Sequence, residues 1–168
     1  MTPLERLAPL FAYPDEGYAA KAGESARLVG LEPMRVFGDA VAAMSAAELQ
    51  EQFVEAFDLD PDCAPDLGWH LFGERYERGE WLARLRADLR RLGVESSTEL
   101  PDHLTNVLMI LAREEPPQAE ELARFVAPAL DRLHAGLERR ESPFRHALAA
   151  VREVVAASSP ARRGAGDV

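Results

Sequence analysis

The sequence predicts an all-α protein, a bundle of about eight or nine helices, on three observations. Segment after segment carries apolar residues at three- and four-residue spacing. Helix starts and stops recur at plausible intervals, among them Ser45-x-x-Glu48, Gly30, Gly93 and several prolines. No run alternates apolar and polar residues for long enough to read as a strand, and no internal repeat of 20 to 50 residues is present.

Leu4, Leu7, Ala8 and Phe11 make a short first helix, closed at Tyr13-Pro14 because the residue before proline is driven out of the helical region. Asp15 is expected to cap the alanine-rich second helix, which ends at Gly30. Pro33 suits the first turn of the third, running to about Met44. Ser45 and Glu48 form a capping-box pattern before a helix whose Leu49, Phe53 and Phe57 share a face.

Residues 58–68 hold too many aspartates and prolines for a regular element and read as a loop, with helical spacing resuming at Trp69. Over 74–92, Trp81, Leu82, Leu85, Leu89 and Leu92 line one face opposite six arginines, and Gly93 stops the run. A new start falls at Leu100-Pro101-Asp102-His103, ahead of Leu104, Val107, Leu108 and Leu111. The longest helix follows Pro116-Pro117, with Leu122, Phe125, Val126, Leu130, Leu133 and Leu137 inward; Pro128 should kink it or mark a junction. The last helix spans 144–156. Domain organisation is expected to be one helical domain over 1–157 and a flexible tail over 158–168, where small and polar residues dominate.

Charge narrows the partners. With 29 acidic against 19 basic side chains the formal net charge is −10, the wrong sign for binding phosphate backbones or anionic lipid. The single Cys63 cannot form an internal disulfide, no secretory pattern opens the chain, and no apolar run is long enough to span a bilayer, so a cytoplasmic address is expected. Asp58, Asp60 and Asp62 have the spacing of the first calcium ligands of an EF-hand loop, yet Cys63 stands where glycine is needed and Trp69 where the bidentate glutamate belongs. Cys63 and four scattered histidines lack metal-ligand spacing, and no phosphate loop, nucleophile elbow or zinc-protease motif occurs. The expectation is a protein that is not an enzyme and carries no metal or cofactor.

Two groups of residues stand out. Asp102 and His103 fall at a helix start, where unpaired N–H groups and the helix dipole favour a carboxylate; they serve either as a local cap or as acceptor and titratable donor beside a groove. Trp69, His70, Phe72, Tyr76 and Trp81 form the densest aromatic cluster. Trp69, Phe72 and Tyr76 lie at i, i+3 and i+7, so on one continuous helix they would share a face, either core or a seat for a helical peptide; Gly73 and Gly79 weaken that continuity.

Tyr13-Pro14-Asp15, residues 53–59, the segment Trp69-His70-Leu71-Phe72-Gly73-Glu74-Arg75 with Arg78-Gly79-Glu80-Trp81-Leu82, and Leu100-Pro101-Asp102-His103-Leu104 together resemble the NarJ subfamily of TorD/DmsD-type redox-enzyme maturation chaperones. The match runs in order to about Phe144. It implies a non-enzymatic chaperone that binds the N-terminal segment of the respiratory nitrate reductase catalytic subunit, supports molybdenum cofactor insertion and delays membrane attachment. It also implies that Trp69, His70, Leu71, Phe72, Asp102 and His103 border a peptide groove, which Tyr76 would extend. Removing Asp102 is then expected to weaken binding and leave the fold intact. The alternatives are a chaperone of the same family for a dimethyl-sulfoxide or trimethylamine-oxide reductase, and a helical adaptor without a groove.

Overall fold

The computed structural model describes residues 1–158, so the expected tail from 159 onward lies outside the described residues. Nine α-helices and no strand occur among them: α1 Pro3–Leu7, α2 Tyr18–Val29, α3 Glu32–Ala42, α4 Ala46–Phe57, α5 Leu67–Phe72, α6 Tyr76–Arg91, α7 Leu104–Arg113, α8 Pro116–Arg139 and α9 Phe144–Ala157. Short 3-10 turns cover Ala8–Phe11 and Pro61–Cys63.

Local chemistry sets most of these boundaries. Thr2 and Glu5 exchange reciprocal capping bonds at α1. Ser45 Oγ accepts from the Glu48 N–H at 3.1 Å and opens α4 as its pattern predicts. At α2 the cap differs: Gly17 occupies the N-cap position, and Asp15 Oδ1 instead accepts from Gly17 N–H at 3.0 Å. The proline of Tyr13-Pro14-Asp15 disfavours helical backbone there, and Asp15 lies two residues ahead of the N-cap position.

Apolar residues from all nine helices form one contiguous core. Its densest part is aromatic, with Phe144 at the start of α9 packed against Phe37, Phe53 and Phe57 at ring separations of 5.4, 5.5 and 5.2 Å. Tyr18 joins this group and donates its hydroxyl to the Leu10 carbonyl at 2.5 Å, anchoring α2 to the 3-10 turn over Ala8–Phe11. Helix α9 lies between α3, α8 and α1. Helix α8 continues through Pro128 without interruption, so the expected junction is absent. Pro128 is exposed, and its ring falls on the side of the helix where carbonyls can turn to water. No helix of the described residues is long and apolar enough to cross a membrane.

Candidate functional site

Two extended segments, bridged through Asp66 and His103, 37 residues apart in sequence, pin the site together. Leu67 N–H donates to the Asp102 carbonyl at 2.9 Å, Leu104 N–H donates to the Pro65 carbonyl at 2.8 Å, and Asp66 and His103 form an antiparallel bridge. Helices α5 and α7 therefore begin side by side, each with its first turn held by the other's approach segment.

Asp102 is the centre of this junction. Its side chain is 0% exposed, and Oδ2 accepts from Gly68 N–H at 3.0 Å and from Arg78 Nε at 3.1 Å. Gly68 is the second residue of α5, whose own cap residue, Asp66, makes no side-chain bond to the helix; the carboxylate that satisfies α5 comes from the α6–α7 loop. Asp102 is thus not the cap of its own helix. That role belongs to His103, whose Nδ1 accepts from Thr105 N–H at 3.2 Å. The expectation that Asp102 is dispensable for folding is corrected by the same contacts: a buried carboxylate with a guanidinium and a helix amide on one oxygen is part of the framework. Its other oxygen, Oδ1, is buried with no hydrogen-bond partner.

Charge surrounds this pair. Glu99 Oε2 stands 3.8 Å from His103 Nε2. Burial pushes the Asp66 carboxyl above its usual range, and the neighbouring Asp102 charge adds to the effect. Burial also pushes His103 below the ordinary histidine value, against the opposing pull of Glu99, Asp66 and Asp102. With Nδ1 accepting from the backbone, the neutral ring carries its proton on Nε2, facing Glu99.

The aromatic segment is divided between two helices, at one of the two glycines that weaken its continuity. The chain breaks at Gly73, where φ is +60°, a value that L side chains rarely adopt, so Trp69 and Phe72 belong to α5 and Tyr76 opens α6. Tyr76 is 80% exposed, Trp69 and Leu71 are half-buried, and Phe72 packs with Trp81 and Phe125 at 5.9 and 6.0 Å. Phe125, expected inward on α8, is 43% exposed and completes this trio at the surface. The Arg75 guanidinium lies over the Phe72 ring, 5.8 Å from its centroid.

His70 serves the framework. Its Nε2 donates to the Ala64 carbonyl at 2.7 Å, holding the Asp-Pro loop against α5, and its own carbonyl accepts from Arg132 of α8 at 3.0 Å. Asp60 and Asp62 extend the attachment through Arg140 and Arg139. Cys63 is buried against Gly136 and burial raises its thiol pKa, the opposite of what a nucleophile needs. Among the described residues no group of three or more His, Cys, Asp or Glu side chains could hold a metal ion.

The expected site residues thus form one neighbourhood around α5 and the starts of α6 and α7. Sequence reasoning missed Gly68, Arg78 and Phe125. Gly68 reads as the end of the 58–68 loop, Arg78 as part of the resembling segment and Phe125 as an apolar position of the longest helix, so none of them is marked for a site. A groove of about 650 Å³ between α8 and α9, lined by Ala123, Arg124, Ala127, Leu130 and Arg152, contains none of the expected residues. A smaller one of about 280 Å³, lined by Arg86, Leu89, Leu100, Pro101 and Asn106, adjoins the Asp102 segment.

The described residues thus form an all-helical chain with a buried Asp-His junction beside a partly exposed aromatic segment. The same fold is found in a crystal structure from Archaeoglobus fulgidus of a protein assigned to redox enzyme maturation, with a TM-score of 0.68, 21% identity, and coverage of 90% of this chain and 91% of that one. Residues 20–150 match the model of the nitrate reductase delta subunit family, and the chain belongs to that family. It is 34% identical over 105 residues to the protein named nitrate reductase molybdenum cofactor assembly chaperone NarJ, in Escherichia coli K12 and in Escherichia coli O157:H7. Those alignments cover 62% of this chain and 44% of each relative, so the matched region spans less than half the length of these curated proteins.

Proposed function

We propose that this protein is an assembly chaperone for a respiratory nitrate reductase, binding the N-terminal segment of the catalytic subunit in the cytoplasm. Holding that segment keeps the subunit open for molybdenum cofactor insertion and delays its attachment to the membrane partner. Family membership and the names of the Escherichia coli relatives support the client. The observation that carries the binding reading is the neighbourhood of Trp69, Leu71, Phe72 and Tyr76. These side chains leave apolar area open to solvent beside a junction dense in carboxylates, on a chain of net charge −10. Apolar side chains of a helical peptide would lie on the aromatic residues, and its basic residues would be drawn by the acidic surroundings. Asp102 and His103 border the seat and set its shape from beneath.

Titration with a synthetic peptide copying the N-terminus of the cognate catalytic subunit tests this, with a scrambled peptide and the leader of another molybdoenzyme as controls. Selective binding of the first is expected. Binding of the other leader alone would keep the family and change the client to a dimethyl-sulfoxide or trimethylamine-oxide reductase. Binding of neither would leave an adaptor without a groove.

A further inference from the structure

Asp102 cannot meet a client as the structure stands, because its side chain is wholly buried. Its shell nevertheless has one removable member. The Gly68 amide belongs to the backbone of α5 and cannot leave without unwinding the helix. Arg78 is a side chain in the first turn of α6, 23% exposed, reaching Asp102 through Nε. It lies across the Gly68–Asp102 contact: a methyl built on Gly68 would stand 2.3 Å from Asp102 Oδ2 and 3.2 Å from Arg78 Cγ. Arg78 is therefore the part of the carboxylate's cover that reaches solvent.

Two further features point the same way. Oδ1 is an unfilled acceptor beside the filled Oδ2, so the carboxylate has spare capacity for a cationic donor able to address both oxygens. Moreover, a cation in the first turn of a helix sits at the unfavourable end of the helix dipole, so α6 itself does little to hold the Arg78 charge where it is.

We propose that Arg78 is a resident cation occupying the client's place on Asp102, and that a basic group of the client displaces it. This rests on the chaperone reading above and adds its control. Exchange of one cation for another never leaves the buried carboxylate uncompensated, which is the costly state. A peptide without a suitably placed basic residue cannot open the site, so Arg78 sets a threshold that selects for charge. Released Arg78 emerges two residues beyond the exposed Tyr76, at the edge of the proposed seat.

The test compares wild type, Arg78→Gln and the double variant Arg78→Gln/Asp102→Asn by calorimetric titration. The two probes are the client N-terminal peptide and the same peptide with every Lys and Arg replaced by Gln. Arg78→Gln is expected to bind the basic peptide about tenfold more tightly, a change of roughly 1.4 kcal/mol. The neutralised peptide should gain nothing, and the double variant should lose the gain. Binding by wild type with no tightening in Arg78→Gln would overturn the proposal and leave the chaperone reading standing; no binding by either protein would overturn both. Binding only after Arg78→Gln would support the latch. A measurement on wild type covers the case in which Arg78→Gln fails to fold. The Arg78 Nε–H resonance, assigned by its loss in Arg78→Lys, should lose protection from solvent exchange at saturating basic peptide; an unchanged resonance overturns the displacement.

Discussion

Gly68 and Asp102 are in such close contact that the glycine's missing side chain is part of the bond. The Gly68 amide donates to Oδ2 at 3.0 Å, and a Cβ at position 68 would lie 2.3 Å from the same oxygen. Neither Asp102, fixed by Arg78, nor the backbone of α5 has room to retreat. Gly68→Ala is therefore expected to destabilise the fold by about 2 to 4 kcal/mol, well beyond a surface glycine. Thermal unfolding checks this, with Gly23→Ala as the control because a Cβ there meets nothing within 4 Å. Equal melting temperatures for the two variants would remove the close approach from the account.

Asp102 itself should prove structural before anything else. Asp102→Ala leaves the Gly68 amide and Arg78 without their acceptor, in a site with no water-facing alternative for the amide. A loss of about 2 to 4 kcal/mol is expected by urea unfolding. Asp102→Asn keeps an acceptor oxygen for Gly68 and should lose less. If both variants matched wild type, the junction would not be holding α5 to α7.

The difference between what was and was not legible in the sequence follows from range. Ser45 opens α4 through atoms three residues away, and the apolar stripe of α7 is visible in ten consecutive residues. Local patterns of this sort need no knowledge of the rest of the chain. Asp102 looks like a local helix cap for the same reason, whereas its partners lie 34 and 24 residues upstream and no spacing rule connects them. Gly73 and Gly79 make the point within one segment. Both weaken a helix equally on propensity, yet α6 runs through Gly79 while Gly73 breaks the chain at φ +60°. The aromatic residues are visible in the sequence as a cluster, but the break places Tyr76 on a different helix from Trp69 and Phe72. Phe125, 53 residues beyond Phe72 in sequence, supplies the third ring.

Acid should loosen this junction through His103. Its folded pKa lies below the ordinary value of 6.5 because burial disfavours the imidazolium. A base with a depressed folded pKa contributes its full stability above the unfolded value. It loses that stability as pH falls from about 6.5 toward the folded pKa, where the unfolded chain binds the extra proton. His70 shifts in the same direction through its own burial. Asp66, raised by burial, acts oppositely: the folded state takes up its proton at higher pH than the unfolded chain does, so its titration favours folding as the pH falls. The melting temperature is expected to fall between pH 7.5 and 5.5. His103→Asn keeps an N-cap acceptor for Thr105 but does not titrate, and should flatten part of that slope. Parallel profiles for wild type and variant would show that His103 is not the group responsible.

Tyr76 and Trp69 separate binding from folding. Tyr76 is 80% exposed at the start of α6 and contributes nothing to the core, so Tyr76→Ala should change stability by less than about 0.5 kcal/mol. If the peptide lies on this surface, the same substitution should weaken its affinity about five- to tenfold, the loss of an exposed aromatic anchor worth ~1 kcal/mol or slightly more. Trp69 is half-buried on α5 beside Gly68, and its truncation should lower both stability and affinity. Melting temperature and peptide titration on the same preparations distinguish the cases. A Tyr76→Ala protein with wild-type affinity, beside a Trp69→Ala protein impaired only in stability, would move the peptide off α5 and α6 altogether. The groove between α8 and α9 would then be the place to look.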